Sequence, residues 1–191
     1  MDYTLAELEQ IGISVGVNPK IHRSVIFFNP ERIAIGHHVR IDCFSLLSAG
    51  NEGIAIGRNV HLAASSFIFG SGGRVVISDF STISARVCLY TASDDFSEGY
   101  LTSPTVPQQY TKVKRGSVIL DPHALIGAGS IVLPGVTLGK GSSVGAMSLV
   151  RQNVGEYEIV AGVPCRVIGH RDSSKLQQLA TAYLEAEGRV D

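Results

Sequence analysis

Aliphatic residues recur every six positions along most of this chain, and this spacing constrains the fold more than any other feature. The middle of the chain carries them in three groups: Ile35, Ile41, Leu47, then Ile56, Leu62, Ile68, then Ile77, Ile83, Leu89. The groups repeat every 21 residues, which is three hexads plus a three-residue insertion at one recurrent position. After a break the hexads return without insertions, at Leu120, Ile126, Val132, Leu138, Val144 and Val150. A period held over this length indicates a repeat architecture.

The fourth residue after each of these anchors is also restricted. It is small or β-branched in fourteen of eighteen hexads, with Ser45, Ser66 and Ser93 among them. Three short strands joined by tight corners make one triangular coil of 18 residues, with the anchors pointing into a narrow interior and these fourth residues pointing inward near a corner. A β-sandwich would show two-residue alternation instead. The sequence therefore predicts an all-β solenoid of stacked coils whose strands pair in parallel.

The late hexads resemble the repeat of the hexapeptide-repeat acyltransferases. They read IGAGSI at 126–131, LGKGSS at 138–143 and VGAMSL at 144–149. The ending VAGVPCRVIGHR is similar to the C-terminal signature of sugar and xenobiotic acetyltransferases, and the resemblance covers about residues 13–171. It implies a left-handed parallel β-helix, a homotrimer, and acyl transfer from acetyl-CoA without a metal.

Composition narrows the class of protein further. Of the 191 residues 45% are hydrophobic and 17% are charged, and the net charge is −1, so neither disorder nor a nucleic-acid-binding surface is expected. The cysteines, Cys43, Cys88 and Cys165, are widely spaced, which favours a reducing compartment. The first ten residues are too polar for a secretory signal, and no apolar stretch approaches the roughly 20 residues that span a bilayer. We therefore expect a soluble, cytoplasmic protein.

Three segments lie outside the regular hexads. Residues 1–12 are predicted to form a capping helix with a capping box at Thr4 and Glu7, and residues 172–191 an amphipathic helix with Ser173 as its N-cap. Between them, residues 13–171 form the predicted β-helix domain. Within it, residues 94–117 carry no repeat and are predicted to protrude from a corner as an arm. In the resembling family this arm completes the active site of a neighbouring subunit. The sequence of the arm is similar to that of acyltransferases encoded in surface-polysaccharide clusters. This similarity implies a sugar or nucleotide-sugar acceptor.

Acyl transfer to a hydroxyl or an amine needs a base for the acceptor proton, and histidine is the usual base near neutral pH. The family's arm usually begins with a histidine, but here Asp94 and Asp95 occupy that region. The two aspartates either assist a base and bind the acceptor, or shape a turn. Matching the coils to related sugar acetyltransferases implies that His61 and Ser65 contact the acceptor. His61 is therefore the favoured base, and His123, at the return of the arm, is the alternative.

The resemblance also implies where the coenzyme binds. Positions that match the family's coenzyme site are Ala128, Ala146, Arg151, Gln152 and Arg166. The two alanines would let the pantetheine chain approach the backbone, and the two arginines would pair with phosphates. Gln152 stands where a lysine is common. Solvated arginines without a ligand are the alternative interpretation.

Two other classes of protein are compatible with a β-helix fold. A γ-class carbonic anhydrase shares the fold, but it needs zinc-binding histidines five residues apart, a spacing that this sequence lacks. A non-catalytic β-helix scaffold or a coenzyme-binding protein stays open because the arm has no histidine. The sequence favours an acetyl-CoA-dependent O- or N-acetyltransferase, and it leaves the acceptor undetermined.

Overall fold

A computed structural model describes residues 1–188, and most of them form short strands wound into a triangular prism. In chain order the strands are β1 (Ser14–Val15), β2 (Lys20–Ile21), β3 (Ile26–Phe28), β4 (Ile33–Ile35), β5 (Arg40–Ile41), β6 (Leu46–Ser48), β7 (Ile54–Ile56), β8 (His61–Leu62), β9 (Phe67–Phe69), β10 (Val75–Ile77), β11 (Thr82–Ile83), β12 (Cys88–Tyr90), β13 (Ala92–Asp94), β14 (Val113–Arg115), β15 (Val118–Leu120), β16 (Leu125–Ile126), β17 (Ile131–Val132), β18 (Thr137–Leu138), β19 (Ser143–Val144), β20 (Leu149–Val150), β21 (Glu158–Gly162) and β22 (Cys165–His170). The helices are α1 (Leu5–Gln10) and α2 (Ser173–Ala186), with 3-10 turns at Pro30–Arg32 and Gln108–Tyr110.

Each coil contributes one strand to each of three sheets. Face 1 has the order β1-β4-β7-β10-β15-β18, face 2 the order β2-β5-β8-β11-β16-β19-β21-β22, and face 3 the order β3-β6-β9-β12-β17-β20. Neighbouring strands within a face pair in parallel, except that β21 and β22 are antiparallel. These features, with the two terminal helices and the protruding loop, confirm the predicted fold class.

The hexad anchors fill the interior of the prism. Ile35 pairs in register with Ile56, which pairs with Ile77, and all the anchors named above between residues 35 and 150 are buried. Most buried corner serines donate to a carbonyl of their own or the next coil: the Ser66 hydroxyl donates to the Ala63 carbonyl and the Ser148 hydroxyl to the Gly145 carbonyl, both at 2.7 Å, whereas the Ser142 hydroxyl has no partner among residues 1–188. A buried hydroxyl without a partner costs about 1–3 kcal/mol, so these bonds explain why serine is accepted there.

Most corners contain a residue in the left-handed conformation three positions after an anchor. Asn59 and Phe80 have φ of 56° and 60° between faces 1 and 2, and Ser65 and Met147 have φ of 59° and 58° between faces 2 and 3. A positive φ turns the chain sharply at these points. The side chain of Met147 is 70% exposed. The corners therefore present side chains to the outside of the prism.

The arm leaves the prism at the corner between faces 3 and 1, after β12. Shorter insertions around Glu31, Asn51 and Gly72 occupy the same corner of earlier coils. β13 and β14 pair in antiparallel fashion and form the stem of the arm. The prediction that Ser93 is an inward corner residue is wrong: Ser93 lies half-buried in β13. Thr91 is buried instead and donates to the Phe69 carbonyl at 2.8 Å, because the chain turns outward immediately after it.

The first helix is held by the predicted capping box. The Glu7 amide donates to the Thr4 hydroxyl at 3.3 Å, and the Thr4 amide donates to the Glu7 carboxylate at 2.7 Å. The backbone hydrogen bond from Thr4, together with the Arg23 side chain, lowers the pKa of Glu7 to about 2. Leu8 is buried and joins the core at the N-terminal end of the prism.

The second helix packs on the corner between faces 1 and 2. Its N-cap is Asp172, whose carboxylate accepts from the Lys175 amide at 3.0 Å, so the prediction of Ser173 as the cap is wrong by one residue. Tyr183 meets Phe80 edge-on at 5.8 Å. Of the predicted segment 172–191, residues 189–191 lie outside the described residues. Within residues 1–188 no helix is both long enough and apolar enough to cross a membrane.

Candidate active site

The outer surface of face 2 changes character along the prism. Its outward residues pair in register in the order Lys20, Arg40, His61, Thr82, Leu125 and Ser143. The first three carry cationic or imidazole groups, and the remaining three do not. The residues that follow the anchors change likewise, from His22 and Asp42 to Gly127 and Gly145. Face 2 therefore has a polar, charged end near the N-terminus and a small-residue end near the C-terminus.

His61 belongs to a three-residue network at the charged end. Its Nε2 atom lies 2.8 Å from Oδ2 of Asp42, and the Arg40 Nε donates to Oδ1 of Asp42 at 2.7 Å. Burial raises the pKa of the Asp42 carboxyl, but the hydrogen bonds from His61 and Arg40 outweigh burial, and the net pKa is lowered. Asp42 is therefore a carboxylate near neutral pH. It can hold the proton of His61 on Nε2, which leaves Nδ1 as the basic nitrogen.

A cavity of about 540 Å³ opens beside this network. Its lining combines charged, imidazole and small side chains: Asp2, Lys20, His22, Arg40, Ile41, Asp42, Cys43 and Ala64. The His22 Nδ1 lies 2.8 Å from the Ser24 hydroxyl. Among residues 1–188, Lys20 has no hydrogen bond or ion pair through its ammonium group. The charged end of face 2 is thus a recess with an unpaired cation.

The corner between faces 2 and 3 is lined by small residues. Two positions after the anchors it carries Cys43, Ala64, Ala85, Ala128 and Ala146 in successive coils. Ala128 and Ala146 are neighbours there, and the Met147 amide donates to the Ala128 carbonyl at 2.8 Å. A Cβ on Gly127 would collide with the backbone nitrogen of Ala146. Successive coils are therefore tightly packed here, and small side chains are the ones that this corner carries. Ser65 lies on the same corner, in the same coil as His61 and three residues after the anchor Leu62.

The polar coenzyme candidates lie at the C-terminal end of the prism. Gln152 and Arg166 line one cavity of about 280 Å³, together with Cys165. Arg151 is exposed directly after the last anchor of face 3. Within residues 1–188 neither arginine forms an ion pair. Burial raises the pKa of the Cys165 thiol, which packs against the core, as expected for an unreactive cysteine.

The structure separates the two aspartates of the arm. The Asp95 carboxylate accepts from the backbone amides of Ser97, Glu98 and Tyr100 at 2.9–3.2 Å, and these bonds lower its pKa. Asp94 is exposed, and its carboxylate has no such bond among the described residues. It lines a cavity of about 810 Å³ between the arm and face 3, with apolar side chains such as Phe96. Asp95 therefore shapes the turn, and Asp94 remains available to a ligand.

The second candidate base, His123, lies elsewhere. Its ring stacks on Phe80 at 5.0 Å and 8°, beside α2, at the corner between faces 1 and 2. Burial, followed by the charges of Lys140 and Arg171, lowers the pKa of His123. The structure brings His123 into contact with neither His61 nor the arm.

His61 and Asp94 lie on different sides of one chain. His61 is on face 2, whereas Asp94 sits over face 3, on an arm that starts at the corner opposite face 2. Asp94 and the His61 network therefore border different cavities of the single chain. No group of three or more histidine, cysteine, aspartate or glutamate side chains suited to a metal ion occurs within residues 1–188.

Sequence reasoning missed Arg40 and Asp42. The hexad spacing contained this information. Arg40 and Asp42 flank the anchor Ile41 in the same way that His61 and Ala63 flank Leu62 in the next coil. Stacking the coils in register would have placed Asp42 beside His61.

Comparison with known proteins supports this interpretation of the fold. Residues 118–146 match the family model described as the hexapeptide repeat of succinyl-transferase. The chain is 40% identical over 178 residues to the dTDP-4-amino-4,6-dideoxy-D-glucose acyltransferase of Escherichia coli, covering 93% of this chain and 92% of that protein. This chain belongs to the hexapeptide-repeat acyltransferase family.

Other members of the hexapeptide-repeat acyltransferase family extend the comparison. AntD, an N-acyltransferase from Bacillus cereus, was solved with dTDP and 3-hydroxybutyryl-CoA; it is 41% identical, with a TM-score of 0.92 over 98% of this chain and 100% of that chain. A substituted AntD was solved with dTDP-4-amino-4,6-dideoxyglucose and coenzyme A, with a TM-score of 0.91 at 41% identity, covering 97% of this chain and 99% of that chain. WbbJ of E. coli K12, assigned to O-acetyl transfer in lipopolysaccharide biosynthesis, is 30% identical over 76% of this chain and 61% of its own length. The predicted family is confirmed.

Proposed function

We propose that this chain is a coenzyme A-dependent N-acyltransferase whose acceptor is a dTDP-linked amino sugar. The observation that carries the proposal is identity of 40–41% over more than nine-tenths of the chain with two proteins named for such chemistry. One of them was solved with a dTDP-amino sugar and coenzyme A together. The product would supply an acylated sugar for a surface polysaccharide, which the similarity to WbbJ also favours.

The donor fits the small-residue end of face 2. Ala128 and Ala146 are small and at least partly exposed, so a pantetheine chain would approach the backbone beside them, and a larger side chain at either position would block that approach. Arg151, Gln152 and Arg166 lie further along the prism, where the donor's phosphates would be held by the two unpaired arginines. Acetyl-CoA is the simplest donor, and AntD's complex makes 3-hydroxybutyryl-CoA a second candidate.

His61 is the proposed general base, and Ser65 on the adjoining corner a proposed acceptor contact. In the reaction the sugar's amino nitrogen forms a bond to the thioester carbonyl carbon, and the carbon–sulfur bond breaks. Nδ1 of His61 takes the proton that the amino nitrogen of the sugar loses. The sulfur leaves as a thiolate and is then protonated. The support is the Asp42 carboxylate at 2.8 Å, which orients the ring and fixes which nitrogen carries the proton.

Asp94 is the proposed contribution of a neighbouring subunit's arm. It is the arm aspartate whose carboxylate is uncommitted, whereas Asp95 is occupied with its own turn. An ammonium or hydroxyl group of the acceptor is a suitable partner for Asp94. His123 is the less favoured base because its ring is packed against Phe80.

The proposed assembly is a homotrimer, as the family resemblance implies, and the separation of His61 and Asp94 within one chain supports a site shared between subunits. Face 3 carries outward apolar side chains along its length, and Ile26 and Phe28 are each about half exposed in the single chain. Such a surface favours burial against another subunit. We also propose a cytoplasmic location, where acyl-CoA donors are available and where the free thiols of the three cysteines persist.

Separate binding measurements test this proposal. Acetyl-CoA and dTDP bind only the folded protein, so each should raise the melting temperature on its own; a ligand at 100 times its Kd stabilises by about 2.7 kcal/mol. A scaffold without ligands would show neither shift. A coenzyme-binding protein that lacks the nucleotide-sugar acceptor would respond to acetyl-CoA alone.

A further inference from the structure

The guanidinium of Arg40 is oriented by one edge only. Its Nε donates to Oδ1 of Asp42 at 2.7 Å, and the other oxygen of Asp42 is bonded to His61 at 2.8 Å. The side chain is 61% exposed, and its two terminal nitrogens have no hydrogen-bond partner among residues 1–188. These nitrogens form the planar donor pair that binds a phosphate with two parallel hydrogen bonds. A carboxylate that fixes Nε lowers the cost of ordering this pair for a ligand.

A second cation stands next to Arg40. Lys20 on β2 is the register partner of Arg40 on β5, and its ammonium group is unpaired in the described chain. Like charges directly opposite each other in neighbouring strands are unfavourable, and a bound anion removes that cost. Both side chains line the 540 Å³ cavity. Asp2 lines it too and adds one carboxylate, whereas both oxygens of Asp42 are already hydrogen-bonded to Arg40 and His61, so the cavity combines the Asp2 carboxylate with an unpaired ammonium and an open guanidinium edge.

We infer that Lys20 and Arg40 bind the diphosphate of the nucleotide-sugar acceptor at the N-terminal end of face 2. Asp42 acts as a positioning residue for Arg40, and His61 for Asp42. This inference rests on the proposed function, since it assigns a site to the nucleotide part of that acceptor. It gives the Arg40–Asp42–His61 network a role in acceptor binding in addition to proton transfer.

The position along the prism agrees with this assignment. Arg40 lies on β5. In face 2 this strand is two positions from β11 and three positions from β16, and the small-residue corner at Ala128 follows β16. Neighbouring strands are about 4.8 Å apart, so about 10–14 Å separates the cationic pair from the donor end. A hexose ring bonded to the diphosphate fits in that interval, with its amino group toward the donor. The acceptor and the donor then approach the reacting centre from opposite ends of face 2.

Titration calorimetry on the full chain tests the inference with dTDP, thymidine and coenzyme A as separate probes. Arg40→Gln and Lys20→Gln should each weaken dTDP binding by about 10–100-fold, since each loses charge-assisted hydrogen bonds. Coenzyme A and thymidine binding should be unchanged. Arg58→Gln is the matched control: its Nε also donates to an aspartate, Asp79 at 3.0 Å, but at the corner between faces 1 and 2, and dTDP binding should survive.

Each other outcome is decisive. Wild-type dTDP binding in both Arg40→Gln and Lys20→Gln would overturn the inference and leave the proposed function intact. A parallel loss of thymidine binding would show that the variants disturb more than a phosphate contact, and would also overturn it. Wild-type protein that binds coenzyme A but not dTDP would refute the proposed acceptor itself, and the inference with it.

Discussion

Nε2 of His61 lies 2.8 Å from Oδ2 of Asp42, the residue directly after the neighbouring strand β5 of face 2. The contact fixes the ring of the candidate base with a residue of the same chain, although the sequence pointed to the arm for that partner. Because Asp42 also holds Arg40, proton transfer and acceptor binding depend on one carboxylate.

Replacement of His61 tests its assignment as the base. His61→Ala should lower kcat by about 10²–10⁴-fold, the usual contribution of a general base, with acetyl-CoA binding nearly unchanged. Asp42→Asn should lower kcat as well, and should also raise KM for the acceptor because Arg40 loses its partner. Steady-state kinetics with both substrates varied gives these values.

His123→Ala is the comparison for His61→Ala. Since His123 stacks on Phe80, we expect a lower melting temperature with little change in turnover. Loss of turnover in His123→Ala alone would reverse the two roles. Full turnover in both variants would mean that the amine arrives deprotonated and needs no protein base.

The arm aspartates should respond differently to substitution. Asp94→Asn should reduce kcat/KM for the acceptor, because its uncommitted carboxylate faces the proposed intersubunit site. Asp95→Asn should loosen the turn that its carboxylate holds through three backbone amides. Hydrogen exchange of the Ser97–Tyr100 amides would detect this loosening, and unaltered exchange there would contradict the turn-shaping role.

The lowered pKa of Asp95 predicts the pH dependence of the same turn. Asp95 stabilises the turn as a carboxylate, so the full contribution is present above its usual pKa of 3.8. It should be lost as the pH falls below that value and through the lowered pKa. Exchange rates in wild type should therefore approach those of Asp95→Asn only in strong acid. A convergence near neutral pH would contradict the charged hydrogen bonds.

Filling the small-residue corner tests the donor site. Ala146→Trp should abolish acetyl-CoA binding by steric block, because Ala146 is exposed beside the narrow approach to Ala128. Binding of dTDP should persist, since its proposed site is at the other end of face 2. Ala34→Trp, at an exposed alanine on face 1, is the control and should bind acetyl-CoA normally. Wild-type affinity in Ala146→Trp would place the donor elsewhere.

The proposed homotrimer predicts three chains in solution. Analytical ultracentrifugation should give three chain masses, and Phe28→Asp on the apolar outer surface of face 3 should shift the protein toward smaller species. A monomer with full activity would exclude a site shared between subunits.

The repeat made the fold predictable because each anchor is selected locally, by burial in its own coil. Ile35, Ile56 and Ile77 stack in register as their spacing predicts. The same reasoning fails for Ser93 because the chain leaves the prism just before this residue. No residue within its own hexad indicates that the chain leaves there.

The candidate site was less predictable because its contacts join different coils. Asp42 meets His61 across 19 residues, a distance at which only the stacking of coils relates two positions. The two adjacent arm aspartates are chemically identical in the sequence. Only the course of the backbone over Ser97–Tyr100 assigns the turn to Asp95 and leaves Asp94 free.

The most direct test of the account is acyl transfer itself. Purified protein is mixed with dTDP-4-amino-4,6-dideoxyglucose and either acetyl-CoA or 3-hydroxybutyryl-CoA. The release of free thiol is followed with time, and the mass of the nucleotide sugar is measured by mass spectrometry. We predict stoichiometric release of coenzyme A thiol and a nucleotide sugar heavier by one acyl group, with the amide on the sugar nitrogen. Binding of both substrates without any acylated sugar, under conditions where the E. coli relative turns over, would contradict it.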